Sequence, residues 1–118
     1  MPISPRPGRT EERIAAGADA DERVLAHLQE LGWVPGTPLR VAHFLYVPGH
    51  AAADAVAHAL DADGWATSLE PCAGTSWLVV ATRVHPLTPE VVRTTRGLLE
   101  TLALRHGGIY DGWEAAAG

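Results

Sequence analysis

Hydrophobic residues recur along this chain with two periods, three-to-four and two, and each switch between them marks a new element. Val24, Leu25, Leu28 and Leu31 form one apolar stripe, predicting a short helix from Asp21 that stops at Gly32. Leu39 to Val47 reads as a strand, because Val41, Phe44, Leu45, Tyr46 and Val47 suit a pleated surface. Both of its alternate faces are mostly apolar, which places it centrally in a sheet. Pro48-Gly49 ends it. Helical spacing returns from His50 to about Ala62, with Ala52, Ala55, Val56, Ala59 and Leu60 expected to face inward. Asp63-Gly64 is turn chemistry, and Trp65 to Glu70 then alternates as a half-buried strand does. Thr75 to Val84 is a second strong strand. Thr88-Pro89-Glu90 supplies a cap, a first-turn proline and a first-turn acid. The helix it opens runs to about His106, with Val91, Val92, Thr95, Leu98, Leu99 and Leu102 expected inward. Gly107 closes that helix. Tyr110-Asp111-Gly112-Trp113 remains for a last short strand or an extended lid.

After the leading helix the order is strand, helix, strand, strand, helix, strand. That order predicts an α+β fold of the ferredoxin-like, split βαβ type: an antiparallel βαββαβ sheet with both helices on one face and an extra N-terminal helix. A length of 118 residues suits one domain with a modest core. Residues 1–18 are rich in Pro, Gly and Arg without a period and are expected to be a flexible tail, leaving 19–118 as the single domain.

Charge sharpens this picture. The net charge is −5, and every cation is arginine, a bias that fits a GC-rich coding sequence better than selection for guanidinium chemistry. No Lys or Arg occurs from Val41 through Thr82, whereas Asp54, Asp61, Asp63 and Glu70 all do. An acidic half of this kind disfavours phosphate backbones and favours a basic partner. Cys72 is the only cysteine, so an internal disulfide framework and a mainly cysteine metal site are both excluded. No apolar run approaches the roughly 18–20 residues that cross a bilayer, and the N-terminus lacks the apolar core of a signal peptide. The expected compartment is a reduced cytoplasm.

Candidate chemistry is sparse. His50, Asp54 and His58 repeat every four residues on one helix and could converge on a cation, but three ligands on one drifting helical face make an awkward tetrahedron. A solvated face with an Asp54–His58 pair explains the same spacing. His43, mid-strand among apolar neighbours, reads as a hydrogen-bonded structural histidine. There is no Gly-x-Ser-x-Gly elbow, phosphate loop or dinucleotide fingerprint, and Cys72 has no basic neighbour to activate it. No catalytic residue, cofactor or metal is expected. An alternative is a single-stranded RNA-binding domain that stacks bases on Phe44, Tyr46 and Trp77. Against it, such platforms need surrounding cations, and the central stretch has none.

With those residues in view, the chain resembles the RraB family, the protein inhibitors of ribonuclease E, over roughly residues 21–114. The resemblance rests on the leading amphipathic helix, on Arg40-Val41-Ala42-His43-Phe44-Leu45-Tyr46, on the small-residue helix, on Gly64 and Trp77, and above all on Gly107-Gly108-Ile109-Tyr110-Asp111-Gly112-Trp113. Two departures stand out: Ile109 replaces a polar or acidic residue, and the acidic extensions of well-known members are missing. The resemblance implies a non-catalytic regulator that binds ribonuclease E away from its active site. Asp54, Asp61, Asp63 and Glu70 would then meet an arginine-rich scaffold segment, with Leu104 or Trp113 as an apolar anchor. Membrane association and direct nucleic-acid contact are not expected.

Overall fold

The computed structural model describes residues 2–3 and 21–116. Its elements are a two-residue strand β1 (Pro2–Ile3), helix α1 (21–30), β2 (Pro38–Pro48), α2 (His50–Ala62), β3 (Ala66–Pro71), β4 (Ser76–Pro86), α3 (Pro89–Arg105) and β5 (Ile109–Ala116). The strands form one antiparallel sheet in the order β1-β5-β2-β4-β3. Leaving β1 aside, this is the split βαβ arrangement expected from the element order. Within the segment read as a flexible tail, Pro2 and Ile3 pair with Ala116 and Ala115 instead. The rest of that segment lies outside the described residues.

Strand β2 is central because both of its flanks are paired, with β4 along its whole length and with β5 through Val41–Tyr46. Its odd-numbered residues carry the core. Leu45 and Val47 pack with Val56 and Leu60 of α2 and with Leu99 and Ala103 of α3. Val41 packs with Val24, Leu25 and Leu28 of α1 and with Trp113 and Ala115 of β5. All three helices therefore cover one face of the sheet.

Local chemistry explains the boundaries. Thr88 is extended at φ −133° and ψ 162°, and its hydroxyl accepts the Val91 N–H at 3.1 Å, so the expected cap starts α3. At the other end, Gly107 N–H bonds to Leu104 and Gly108 N–H to Ala103, consuming carbonyls the helix leaves open. A Cβ on Gly108 would overlap the Tyr46 carbonyl oxygen, so only glycine lets β5 begin this close to β2. Gly112, at φ +90°, sits where the β2–β5 register shifts between His43 and Leu45.

Two helical stripes are rotated from their expected positions. Helix α2 buries Ala53, Val56, Ala57 and Leu60, while Ala55 and Ala59 are exposed. In a helix with so many alanines, apolarity does not mark the inner face. Leu31 and Leu98, both expected inward, are more than half exposed.

Candidate functional site

The C-terminal motif is interior structure. Trp113 is 1% exposed, and its indole N–H donates to Asp21 Oδ1 at 2.7 Å. The other oxygen of Asp21 accepts from Arg96 Nε at 2.6 Å, and Arg96 also reaches Glu100 at 3.2 Å. One buried carboxylate thus ties α1 to both β5 and α3. Burial raises the Asp21 carboxyl, opposed by its bonds to Trp113 and Arg96. The arginine responds in kind, held above its usual range by that carboxylate despite its own partial burial. In the sequence Asp21 marks only the start of the first helix, because nothing in the chain announces a partner 92 residues away. Trp113 is correspondingly no surface anchor.

A second interior group surrounds His43, which is 3% exposed. Its Nδ1 lies 2.8 Å from the Tyr110 hydroxyl, as a structural histidine requires. Burial, reinforced by His85 and Arg83, depresses its pKa to about 3, so the ring is neutral. His85 is lowered for the same reasons, and burial raises the Tyr110 hydroxyl. The rings of Trp65 and His85 stand 5.2 and 6.2 Å from that of His43. Arg83 lies 4.1 Å over the Trp65 ring and donates to the Asp63 carbonyl. Of the residues that carried the resemblance, His43, Asp111 and Trp113 are buried and Tyr110 and Gly112 half-buried.

The surface residues are distributed differently. Asp54, Asp61, Asp63 and Glu70 are all exposed. Asp54 and Asp61 are seven residues apart on α2, hence on one stripe, and Asp61 Oδ1 accepts from Thr67 Oγ1 of β3 at 2.6 Å. That stripe overhangs β3. Asp63 caps α2 and lies 3.8 Å from Arg83, so its charge is partly answered. Glu70 pairs in register with Leu78, and Leu78 with Tyr46, so it projects from the face opposite the helices. The four carboxylates therefore do not share one face; three flank β3, two above the sheet and one below. Leu104 on α3 is 71% exposed, and Leu98 on the same helix is exposed as well.

The aromatic trio is also divided. Phe44 and Tyr46 lie on the sheet face away from the three helices, but Trp77 pairs with Val47 and packs on the helix-side core. Phe44 is only 8% exposed. A stacking platform made of all three does not exist. His50 meets the Trp77 ring edge at 4.7 Å, and Asp54 and His58 are exposed. Among the described residues no group of three or more His, Cys, Asp or Glu could hold a metal ion, and no helix is long and apolar enough to cross a membrane.

Several of the residues that distinguish this chain thus hold its elements together: Tyr110 ties β5 to β2, and Trp113 ties β5 to α1. No curated protein matches the chain. A family model does, across residues 18–115, and that span takes in the whole helix-capped sheet from α1 to β5. The chain belongs to the RraB family, described as Regulator of ribonuclease activity B.

Proposed function

We propose that this protein is a non-catalytic cytoplasmic regulator that binds a ribonuclease E-type enzyme, or its arginine-rich scaffold, and slows RNA turnover. Membership in a family of ribonuclease regulators supports the general role. The observation that carries the finer reading is the cation-free run from Val41 through Thr82, which displays Asp54, Asp61 and Glu70 to solvent. Exposed charges of one sign mainly accelerate encounter with an oppositely charged segment and make it salt-sensitive. The RNA-stacking reading loses Trp77, which lies on the other face of the sheet from Phe44 and Tyr46.

The test is cleavage of an end-labelled RNA by a purified ribonuclease E-type enzyme, with and without this protein. Added protein is expected to slow cleavage and to cut nothing by itself. Replacing Asp54, Asp61 and Asp63 together by Asn should weaken that inhibition, more at low salt than at high. Unchanged cleavage with the protein in large excess would overturn the proposal.

A further inference from the structure

The sheet is guarded at one side and open at the other. Strand β1 lies against β5, whereas β3, among the described residues, has a neighbour only in β4. In an antiparallel edge strand every second residue directs both its N–H and its C=O away from the sheet, ready for another strand. Natural edges are commonly blunted by lysine, proline or a bulge. Here the pairing of β3 with β4 runs unbroken from Ala66 to Pro71, and the one proline is the last residue. Lysine is absent from the whole chain.

What surrounds this edge is negative charge on both sides. The Asp54–Asp61 stripe of α2 overhangs it, fixed there by the Thr67–Asp61 hydrogen bond. Glu70 projects from the opposite face. The nearest arginine, Arg83, is at the start of the strand and is engaged by Asp63 and Trp65. Pairing of β3 with β3 of a second copy would bring these carboxylates against one another, and like charges across a strand pair are destabilising.

We propose that β3 is a docking edge for an extended, arginine- or lysine-bearing segment of a protein partner, which adds as a sixth strand along Thr67–Glu70. That the partner is a protein rests on the function proposed above. Because side chains alternate across a strand, the segment's basic residues fall in two sets. One set meets Asp54 and Asp61 on the helix side, and the other meets Glu70 on the open side. Backbone pairing supplies the affinity and the carboxylates supply orientation and rate.

The experiment uses the full chain and a fluorescein-labelled peptide of about ten residues in which pairs of Arg alternate with pairs of Thr, a pattern that sends basic side chains to both faces of a strand. A second peptide has the same sequence and charge but N-methyl groups on every backbone nitrogen, which removes the donors from both of its edges. The unmodified peptide is expected to bind and to slow amide hydrogen exchange within β3. The methylated peptide should bind at least about tenfold more weakly, the effect of losing several backbone hydrogen bonds. Asp54→Asn with Asp61→Asn, and separately Glu70→Gln, should each weaken the unmodified peptide at low salt and reduce the salt dependence of its binding.

Equal binding of the two peptides, or β3 amides that exchange as fast with peptide as without, would overturn the edge proposal. If ribonuclease inhibition persisted in that case, regulation would stand and only its docking mode would fall. A dimer whose interface protects the β3 amides in the free protein would overturn it too.

Discussion

Strands β5 and β3 lie toward opposite sides of one sheet and are built by opposite rules. Strand β5 carries the most recognisable residues of the chain and encloses them: Tyr110 bonds to His43, and Trp113 to the buried Asp21. Strand β3 has an ordinary sequence, Ala-Thr-Ser-Leu-Glu-Pro, and faces solvent with carboxylates around it. The contrast separates two things that a motif tends to merge. Residues that identify this fold are held by specific interior partners, whereas the proposed docking edge rests on exposed charge and, among the described residues, on a strand with one neighbour.

The sharpest way to break the contrast is at Trp113. Trp113→Ala removes a fully buried indole and should cost about 3–5 kcal/mol in urea denaturation. Trp113→Phe keeps most of the volume but leaves Asp21 short of a donor, and should cost about 1–3 kcal/mol. A surface-anchor role would give the reverse pattern, near-native stability with lost partner affinity.

Next in size is the pH response of the β5–β2 contact. His43 takes up a proton near 6.5 when unfolded but only at about 3 when folded. As pH falls below 6.5 the unfolded state gains protons that the native state refuses. Stability should therefore drop on acidification, by about 1.4 kcal/mol per pH unit once well inside that window. His85, lowered in the same direction, adds to the fall. The raised Asp21 carboxyl acts in the opposite sense above 3.8, so the histidine part is read as the difference between the protein and its His43→Leu variant in unfolding midpoints from pH 7 to 5. His43→Leu should flatten that dependence, and an unchanged slope would show that His43 does not carry it.

Smaller still in stability are changes around β3. Asp54→Asn with Asp61→Asn should leave the thermal midpoint nearly unchanged, while association with a basic segment slows by about tenfold at low salt. A large loss of stability would place those carboxylates in the architecture with β5. The mildest is Leu104→Ala, which at 71% exposure should leave folding unaltered and reduce affinity only if the partner covers the outer side of α3.

Much of the fold was legible from local patterns. Thr88-Pro89-Glu90 announced α3, Pro48-Gly49 and Asp63-Gly64 separated α2 from its strands, and the apolar residues on both faces of Leu39–Val47 implied a central strand. Helix orientation was harder to read. In α2 the exposed Ala55 and Ala59 look the same in sequence as the buried Ala53 and Ala57. The candidate surface was legible as composition and illegible as arrangement. Asp54, Asp61 and Glu70 read as one acidic run, yet strand parity sends Glu70 through to the other side of the sheet.

The amino-acid sequence by itself determined the order of elements, their caps and stops, the antiparallel α+β class and the sign of the charge over its middle third. Each depends on neighbours within a few residues, where backbone preference and periodicity act directly. Only tertiary structure decided that Asp21 joins Trp113 and Arg96, that Trp77 parts company with Phe44 and Tyr46, and that β3 has, among the described residues, β4 as its one neighbour. Those outcomes depend on which distant segments meet, and a contact across 92 residues leaves no local trace.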